Sequence, residues 1–303
     1  QQTRNHLVSI RDQQKDYLSS HLRDIDKQII TFSNSLTIRS ATKDFLTAFK
    51  YDSRKEASQE MESELLSFYQ TEFSHKYAER NVDVKRSANS LFNATGQKAK
   101  LFQYHFLANN PYNVGSKADL NSLENNSLYS RIHERYHPEI KSYLDAFHYY
   151  DILIIDSDTG DIIYSVVKEI DFATSLLTGP YRDSGLAKVF REAKQSSQAK
   201  TISFSPFSPY TPSYEDPAAF IASPILDDDG TTIAVLAFQM PINKINTIMT
   251  LNQQWSDKGL GQTGEAYLVA ENYKAQSLSR SLIEQPELYL EQLKQSNTDT
   301  KII

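Results

Sequence analysis

Cysteine is missing from all 303 residues, which excludes thiol nucleophiles, disulfides and Cys-ligated zinc or iron–sulfur sites. The absence fits an oxidising compartment, where a free thiol is a liability. No run approaches the ~20 consecutive apolar residues of a membrane-crossing helix, and the chain does not open at Gln1 on a basic-then-apolar leader pattern. Basic charge is scarce: 32 Lys and Arg against 38 Asp and Glu give a net charge of −6, which argues against a nucleic-acid partner. Phosphate loops of Walker or Rossmann spacing and the Gly-x-Ser-x-Gly elbow are absent as well. Gly259-Leu260-Gly261-Gln262-Thr263-Gly264 has the form G-x-G-x-x-G but precedes a strand-like run instead of a helix, so it reads as a turn. There is no low-complexity tract and no long repeat. What remains is 39% hydrophobic and 11% aromatic, with a mean hydropathy of −0.53, in a chain long enough for two domains with cores of their own.

The most informative stretch runs from Tyr149 to Met240. Two β-rich runs, Tyr150–Asp156 and Asp161–Val167, flank Ser157-Asp158-Thr159-Gly160, a turn whose glycine is placed for positive φ. A helical stretch of mixed polarity follows, and then three more strand-like runs at Lys200–Ser205, Ala218–Leu226 and Thr231–Met240. Hairpin, helical crossing and three-strand meander make a PAS-like half-open sheet, in which the crossing covers one face and leaves a pocket.

These residues resemble a known family. The run YYDILIIDSDTGDIIYSVVKEIDFATSLLTGPYRDSGLA at 149–187, with YTPSYEDPAAFIASPI at 210–225, is similar to double-Cache extracytoplasmic sensor domains of bacterial chemoreceptors, membrane histidine kinases and nucleotide cyclases. Gln103-Tyr104, Asn110-Pro111, Gly115-Ser116-Lys117 and Tyr136-His137-Pro138 extend the likeness upstream. It covers residues 100–270 well, the first hundred only in helical character, and the last thirty poorly. The resemblance implies a periplasmic portion of an inner-membrane protein, with membrane anchors in flanking segments outside this chain. It implies signal input without catalysis or a cofactor. A small extracytoplasmic solute is its partner. A chemotaxis transducer is the first expectation for the output, and a histidine kinase or cyclase the second.

Outside that module the sequence is mostly helical. Residues 3–49 read as one helix, with apolar positions at Leu7, Ile10, Leu18, Leu22, Ile25, Ile29, Phe32 and Leu36, and Gln14 in the one gap of the stripe. Over its first thirty-six residues such a helix is about 54 Å long at ~1.5 Å per residue. Its narrow seam suits a stalk that pairs with a second copy into a homodimer; packing on its own domain is the alternative. The organisation expected is α+β: a stalk helix at 1–50, a helical segment at 51–148, a membrane-distal Cache/PAS-like ligand-binding module at 149–240, a linker helix at 241–258 opened by Pro241, and a partial membrane-proximal module at 259–303. Helix is expected again over Leu128–Phe147, interrupted at Pro138.

Candidate binding residues lie in the crossing and on its walls. In amino-acid-sensing relatives, a basic residue and aromatics after the second strand grip a carboxylate, and a Tyr-x-Asp on the next helix takes the ammonium. Lys168, Asp171 and Phe172 hold the first position here, and Tyr181, Asp183 and Ser184 the second. The Arg-x-Trp-Tyr that accompanies them in the family is replaced by Lys168-Glu169-Ile170-Asp171-Phe172, which separates this chain from the amino-acid pattern. Tyr150, Tyr164, Phe204, Phe207, Tyr210 and Phe220 supply an apolar wall, each also readable as core.

Two other motifs carry chemistry on paper. His133-Glu134-Arg135-Tyr136-His137 is a literal H-E-x-x-H, which on a continuous helix holds zinc between two imidazoles with the Glu as base. Pro138 directly after it speaks against that helix, and no third ligand is evident downstream, so a zinc hydrolase is the lesser reading. Asp227-Asp228-Asp229-Gly230 reads as a solvated hairpin turn before it reads as a calcium loop, because carboxylates at alternate positions are lacking. An adhesive ectodomain with an occluded pocket is the remaining alternative.

Overall fold

The computed structural model describes residues 1–81, 86–196, 198–271 and 273–296. The helices, in chain order, are α1 (Gln2–Ser33), α2 (Leu36–Asp52), α3 (Gln59–Phe68), α4 (Ser74–Arg80), α5 (Ala88–Ala94), α6 (Gln97–Gln103), α7 (Leu128–Phe147), α8 (Gly185–Lys194), α9 (Ile242–Met249), α10 (Arg280–Glu284) and α11 (Pro286–Gln295). Strands β1 (Asp151–Asp156), β2 (Ile162–Ser165), β3 (Ser203–Pro209), β4 (Pro217–Leu226) and β5 (Thr232–Met240) form one antiparallel sheet in the order β2-β1-β5-β4-β3. The fold is α+β and PAS-like: a hairpin, a crossing that carries α8, and a three-strand meander that returns β5 beside β1.

The single helix expected over 3–49 is broken at Ser33-Asn34-Ser35. Asn34 Nδ2 donates to Ile30 O at 2.7 Å and to Ala199 O at 3.1 Å, and Ser35 caps α2 by accepting from the Ile38 amide. Three short polar side chains in a row offer the backbone alternatives to helical bonding, without any Pro or Gly to mark the break. The α1 stripe buries Ile25, Ile29 and Phe32, whereas Leu7 and Tyr17 remain exposed. Gln14 is buried for a reason of its own: its Nε2 donates at 2.7 Å to Met249 O, at the C-terminal end of α9.

A second correction concerns α7, which runs unbroken through Pro138. Proline removes one helical donor and costs ~3 kcal/mol in an isolated helix. Burial of Tyr136 and Ile140 on the turns around it, with Tyr129 near the helix start, outweighs that cost. The helix ends where His148 turns left-handed.

Strand register assigns the two faces of the sheet. Ile152, Phe238 and Ile221 are directly opposite one another, and Phe32 and Tyr149 pack on Phe238, so this face lies under the N-terminal helices. Asp151, Gln239, Phe220 and Ser205 share the other face, which the crossing and α8 cover. At the β1–β2 turn Gly160 has φ of +70°, and a Cβ built there would lie 2.8 Å from Leu177 Cγ. Gly160→Ala is therefore expected to lower stability by roughly 1–3 kcal/mol, read as a lower urea midpoint; an unchanged midpoint would show that the turn relaxes freely. The Asp227–Gly230 turn is tied to α2: Lys43 Nζ lies 2.6 Å from Asp227 Oδ1, and Arg39 pairs with Asp228.

Beyond α9, where a partial Cache/PAS-like module is expected at 259–303, the described residues carry one isolated bridge, between Val269 and Ala275. Side chains hold this region instead. Arg280 Nη1 donates to Gly261 O at 3.0 Å and Gly264 O at 3.1 Å, and its guanidinium lies 4.8 Å from the Trp255 ring centre. Gln276 reaches back to the sheet, accepting from the Phe207 amide at 2.7 Å on the edge strand β3. Residues 297–303, the end of that expected module, lie outside the described residues.

Candidate functional site

The covered face of the sheet carries a polar cluster that an apolar core would not tolerate without cause. Asp151, the first residue of β1, is buried, and its carboxylate accepts from Ser165 Oγ at 2.6 Å and from the amides of Val166 and Val167 at 2.9 and 3.1 Å. These bonds fix how the chain leaves β2. Burial nevertheless pushes the Asp151 pKa up to about 6, the donors opposing it.

Lys168 follows in a left-handed conformation, φ +57°, and its side chain turns back on its own strand. Its ammonium donates to Ser165 O at 3.0 Å and Val166 O at 3.3 Å, and it lies within 5.5 Å of the centres of the Phe106 and Tyr164 rings. Burial drags its pKa down to about 7 against the pull of Asp151. The lysine expected to grip a ligand is thus a clamp on the end of β2.

The next two acids have no such cation. Glu169 accepts from Tyr150 OH at 2.6 Å and from Ser213 Oγ at 2.7 Å, and Ser213 in turn accepts from Gln239 Nε2 at 3.0 Å. Asp171 Oδ2 accepts from Tyr210 OH at 2.6 Å, while Asp171 Oδ1 is buried with no partner. Burial, followed by the neighbouring Asp171, raises Glu169 to about 8; burial raises Asp171 to about 7 despite the Tyr210 bond. The segment is held from the helical side: Gln103 Nε2 donates at 2.8 Å to both Ile170 O and Phe172 O, and Tyr69 OH donates to Gln103 Oε1 at 2.7 Å.

A cavity of about 330 Å³ opens beside Glu169; Asp171, two residues on, is not part of its lining. Tyr150, Lys168, Glu169 and Tyr214 line it together with Lys76, Arg80 and the 114–117 loop, with Lys117, and the Lys76 ammonium lies 4.8 Å from the Tyr214 ring centre. Glu169 is half-buried at its edge, and Tyr150 shares that position. The lining brings one hydroxyl-bonded carboxyl, Glu169, together with basic side chains and aromatic rings.

Of the residues singled out in the sequence, Tyr150, Asp171, Tyr181, Tyr210 and Phe220 come together, with Lys168 at their flank. Tyr210 lies 5.1 Å from Phe220 and 6.1 Å from Tyr181 between ring centres. The others lie elsewhere. Tyr164 points to the helix-covered face, where its OH donates to His137 Nδ1 at 2.8 Å. Phe172 packs among Phe102, Phe106 and Tyr129. The Asp183 side chain is 90% exposed on the surface, and Ser184 caps α8 through the Ala187 amide. Phe207 is held at the β3 edge by Gln276, and Phe204 is 46% exposed. Sequence reading passed over Asp151, Glu169, Ser213, Gln239 and Lys76. A signal existed for two of them: Asp151 and Gln239 are polar residues inside otherwise apolar strands, which places them opposite something polar.

The H-E-x-x-H histidines are on a continuous helix and stack with ring centres 4.2 Å apart. Both ring nitrogens of His137 are engaged, Nε2 with Ala118 O at 2.7 Å and Nδ1 with Tyr164 OH. His133 Nδ1 donates to Asn121 O at 2.7 Å, and Glu134 is exposed. The pair is built into the core with its donors committed, and no cluster of three metal-ligating side chains is found among the described residues.

No protein-family model matches the chain, and no curated protein matches it. Among solved structures it is similar to the sensor domain of the histidine kinase DctB of V. cholerae, with 13% identity and a TM-score of 0.29, over 61% of this chain and 58% of that one. The chain thus spans less than two thirds of that domain's length, and a likeness so distant carries no inference about function. No helix among the described residues is long and apolar enough to cross a membrane.

Proposed function

We propose that this chain is the extracytoplasmic ligand-binding part of a bacterial transmembrane receptor, a chemoreceptor before a histidine kinase or cyclase, and that it binds a small solute bearing an ammonium group without reacting with it. One observation supports the ligand class: Glu169, which lines the cavity, and Asp171, two residues on, are raised carboxyls whose hydrogen bonds come from hydroxyls, with Asp171 Oδ1 unpartnered. A buried acid without a cation is an incomplete pair, and an ammonium completes it. The double-Cache resemblance and the PAS-like sheet support the sensor reading.

In this reading the ligand favours one of two arrangements of the crossing against the helical segment, to the extent that it binds them differently. The change passes through α9 and α1, the helix that pairs with a second copy, to an output domain on the far side of the membrane. Calorimetric titration of the purified chain with a panel of small amines tests the site. An amine that binds should lose at least about tenfold in affinity in Glu169→Gln, the scale of one charge-assisted hydrogen bond. A panel in which nothing binds, or an affinity indifferent to Glu169, removes the proposal.

A further inference from the structure

Residues 210–216, which join β3 to β4, supply a hydroxyl to each of the two acids. Tyr210 OH donates to Asp171 Oδ2, and Ser213 Oγ donates to Glu169 Oε2. The next residue, Tyr214, belongs to the cavity lining. Here the backbone turns sharply: Tyr214 and Glu215 are both left-handed, at φ of +61° and +62°. Two consecutive residues in that region, neither of them glycine, make a strained stretch that persists where its surroundings hold it. The hold comes from α4 and its ends. Phe73, just before α4, stacks on Tyr214 with ring centres 5.3 Å apart, and Asn81, just after it, donates from Nδ2 to Tyr214 O at 2.8 Å. Arg80 pairs with Asp216. Glu215 Oε1 accepts from Tyr77 OH and from Arg86 Nε, each at 3.1 Å. Within the connection the amides of Tyr210, Ser213, Tyr214, Glu215 and Asp216 donate to carbonyls of its own residues, so its shape does not depend on the neighbours it touches.

We propose that residues 210–216 form a strap that lifts as one piece, carrying Tyr210 and Ser213 away from Asp171 and Glu169 and Tyr214 out of the cavity lining, and that the contacts around α4 hold it down. The strain at Tyr214 and Glu215 works for lifting, and the grip of Phe73, Arg80, Asn81 and Arg86 works against it. One movement then releases both carboxyls from their hydroxyls. Its meaning for the ligand rests on the ammonium reading above, in which the released acids receive a cation. A solute that prefers the released acids favours the lifted strap and, by the same free energy, loosens the contacts of 214–216 with α4. Occupancy of the crossing is thereby passed to the helical segment.

The chain has no cysteine, so a single introduced thiol reports on its own site. Ser213 and Ser223 are both fully buried, the first on the strap and the second on β4. The test is the rate at which an uncharged maleimide labels Ser213→Cys and, separately, Ser223→Cys, in the full chain without ligand. Ser213→Cys should react at least about tenfold faster, because lifting a connection takes less free energy than opening the sheet. Arg86→Ala, a change at an exposed residue, should quicken labelling of Ser213→Cys about fivefold, the scale of one net hydrogen bond, and leave Ser223→Cys unchanged. Asn81→Ala should act in the same way. A common rate for the two thiols, or a Ser213→Cys rate indifferent to both Arg86→Ala and Asn81→Ala, overturns the strap and leaves the carboxyl site to the amine panel. Conversely, a panel in which nothing binds, beside labelling that follows the expected pattern, removes the ammonium reading and not the strap.

Discussion

Gln103→Leu should be among the most damaging single substitutions in this chain, lowering stability by about 3–6 kcal/mol and abolishing ligand binding. Gln103 is fully buried, and leucine fills nearly the same space, so the loss comes from hydrogen bonds and not from a void. Its Nε2 serves Ile170 O and Phe172 O, and its Oε1 serves Tyr69 OH. Leucine leaves two carbonyls with no donor and the hydroxyl with only its 3.4 Å contact to Thr95. Each buried polar group left unpaired costs ~1–3 kcal/mol. The two carbonyls flank Asp171 and follow Glu169, so the same change frees the segment that holds Glu169 at the cavity. Urea unfolding followed by two probes gives the first number, and titration with a binding amine the second. A midpoint shift worth under about 1 kcal/mol, with the slope unchanged, would mean that water takes over these bonds and that Gln103 does not fix the crossing.

How far the fold was legible depends on the range over which each signal acts. The strands announced themselves through β-branched and aromatic runs between turn residues, and Gly160, Gly230 and Pro241 marked ends that the backbone confirms. These are local properties. The break at Ser33-Asn34-Ser35 is local too, but its signal is side-chain competition for backbone partners, which periodicity does not register. Pro138 misled in the opposite sense, because packing on both flanking turns kept α7 continuous. In the second half of the chain, glycines and short apolar runs suggested another sheet, and the described residues hold that region by Arg280 and Gln276 instead.

The site was legible by region and not by residue. The crossing after β2 was singled out, and the acids are there, but the role of each followed from contacts distant in sequence. Lys168 lines the cavity, but carbonyls two and three residues before it hold its ammonium on its own strand. Asp183 faces solvent because Ser184, the next residue, is the cap that starts α8. Asp151 and Gln239 become neighbours only through strand register, and Lys76 reaches the cavity only through the fold of the helical segment. Residue types that bind polar solutes were recognisable; which of them the fold leaves unmatched was not.

The acids also make binding a protonation event, and this gives the second large effect. In the ligand-free protein burial raises Asp171 to about 7 and Glu169 to about 8, so at pH 6 both are mostly protonated. An ammonium ligand requires the carboxylate, so binding below pH 7 expels a proton. Affinity should therefore rise with pH by up to about tenfold per unit for each proton released, and level off above pH 8. In stability the same groups act in the opposite sense. A carboxyl raised by folding contributes stability that is full below its unfolded value, 3.8 for Asp and 4.5 for Glu, and is lost as pH rises through 7 and 8. His137, lowered by burial to about 3, contributes stability that is full above 6.5 and is lost as pH falls towards 3. Ligand-free and ligand-bound protein should accordingly diverge as pH rises: the free form loses the stability of its neutral acids while the bound form gains an ion pair. Titration of a binding amine at pH 6 in two buffers of different ionisation enthalpy should give heats that differ in proportion to the protons expelled. Asp171→Asn should reduce that difference and flatten the pH profile, while Glu169 continues to titrate. Equal heats in both buffers, together with an affinity constant from pH 5.5 to 8, would mean that these carboxyls are already ionised in the free protein. The reading of an acid pair waiting for its cation would then have lost its physical basis.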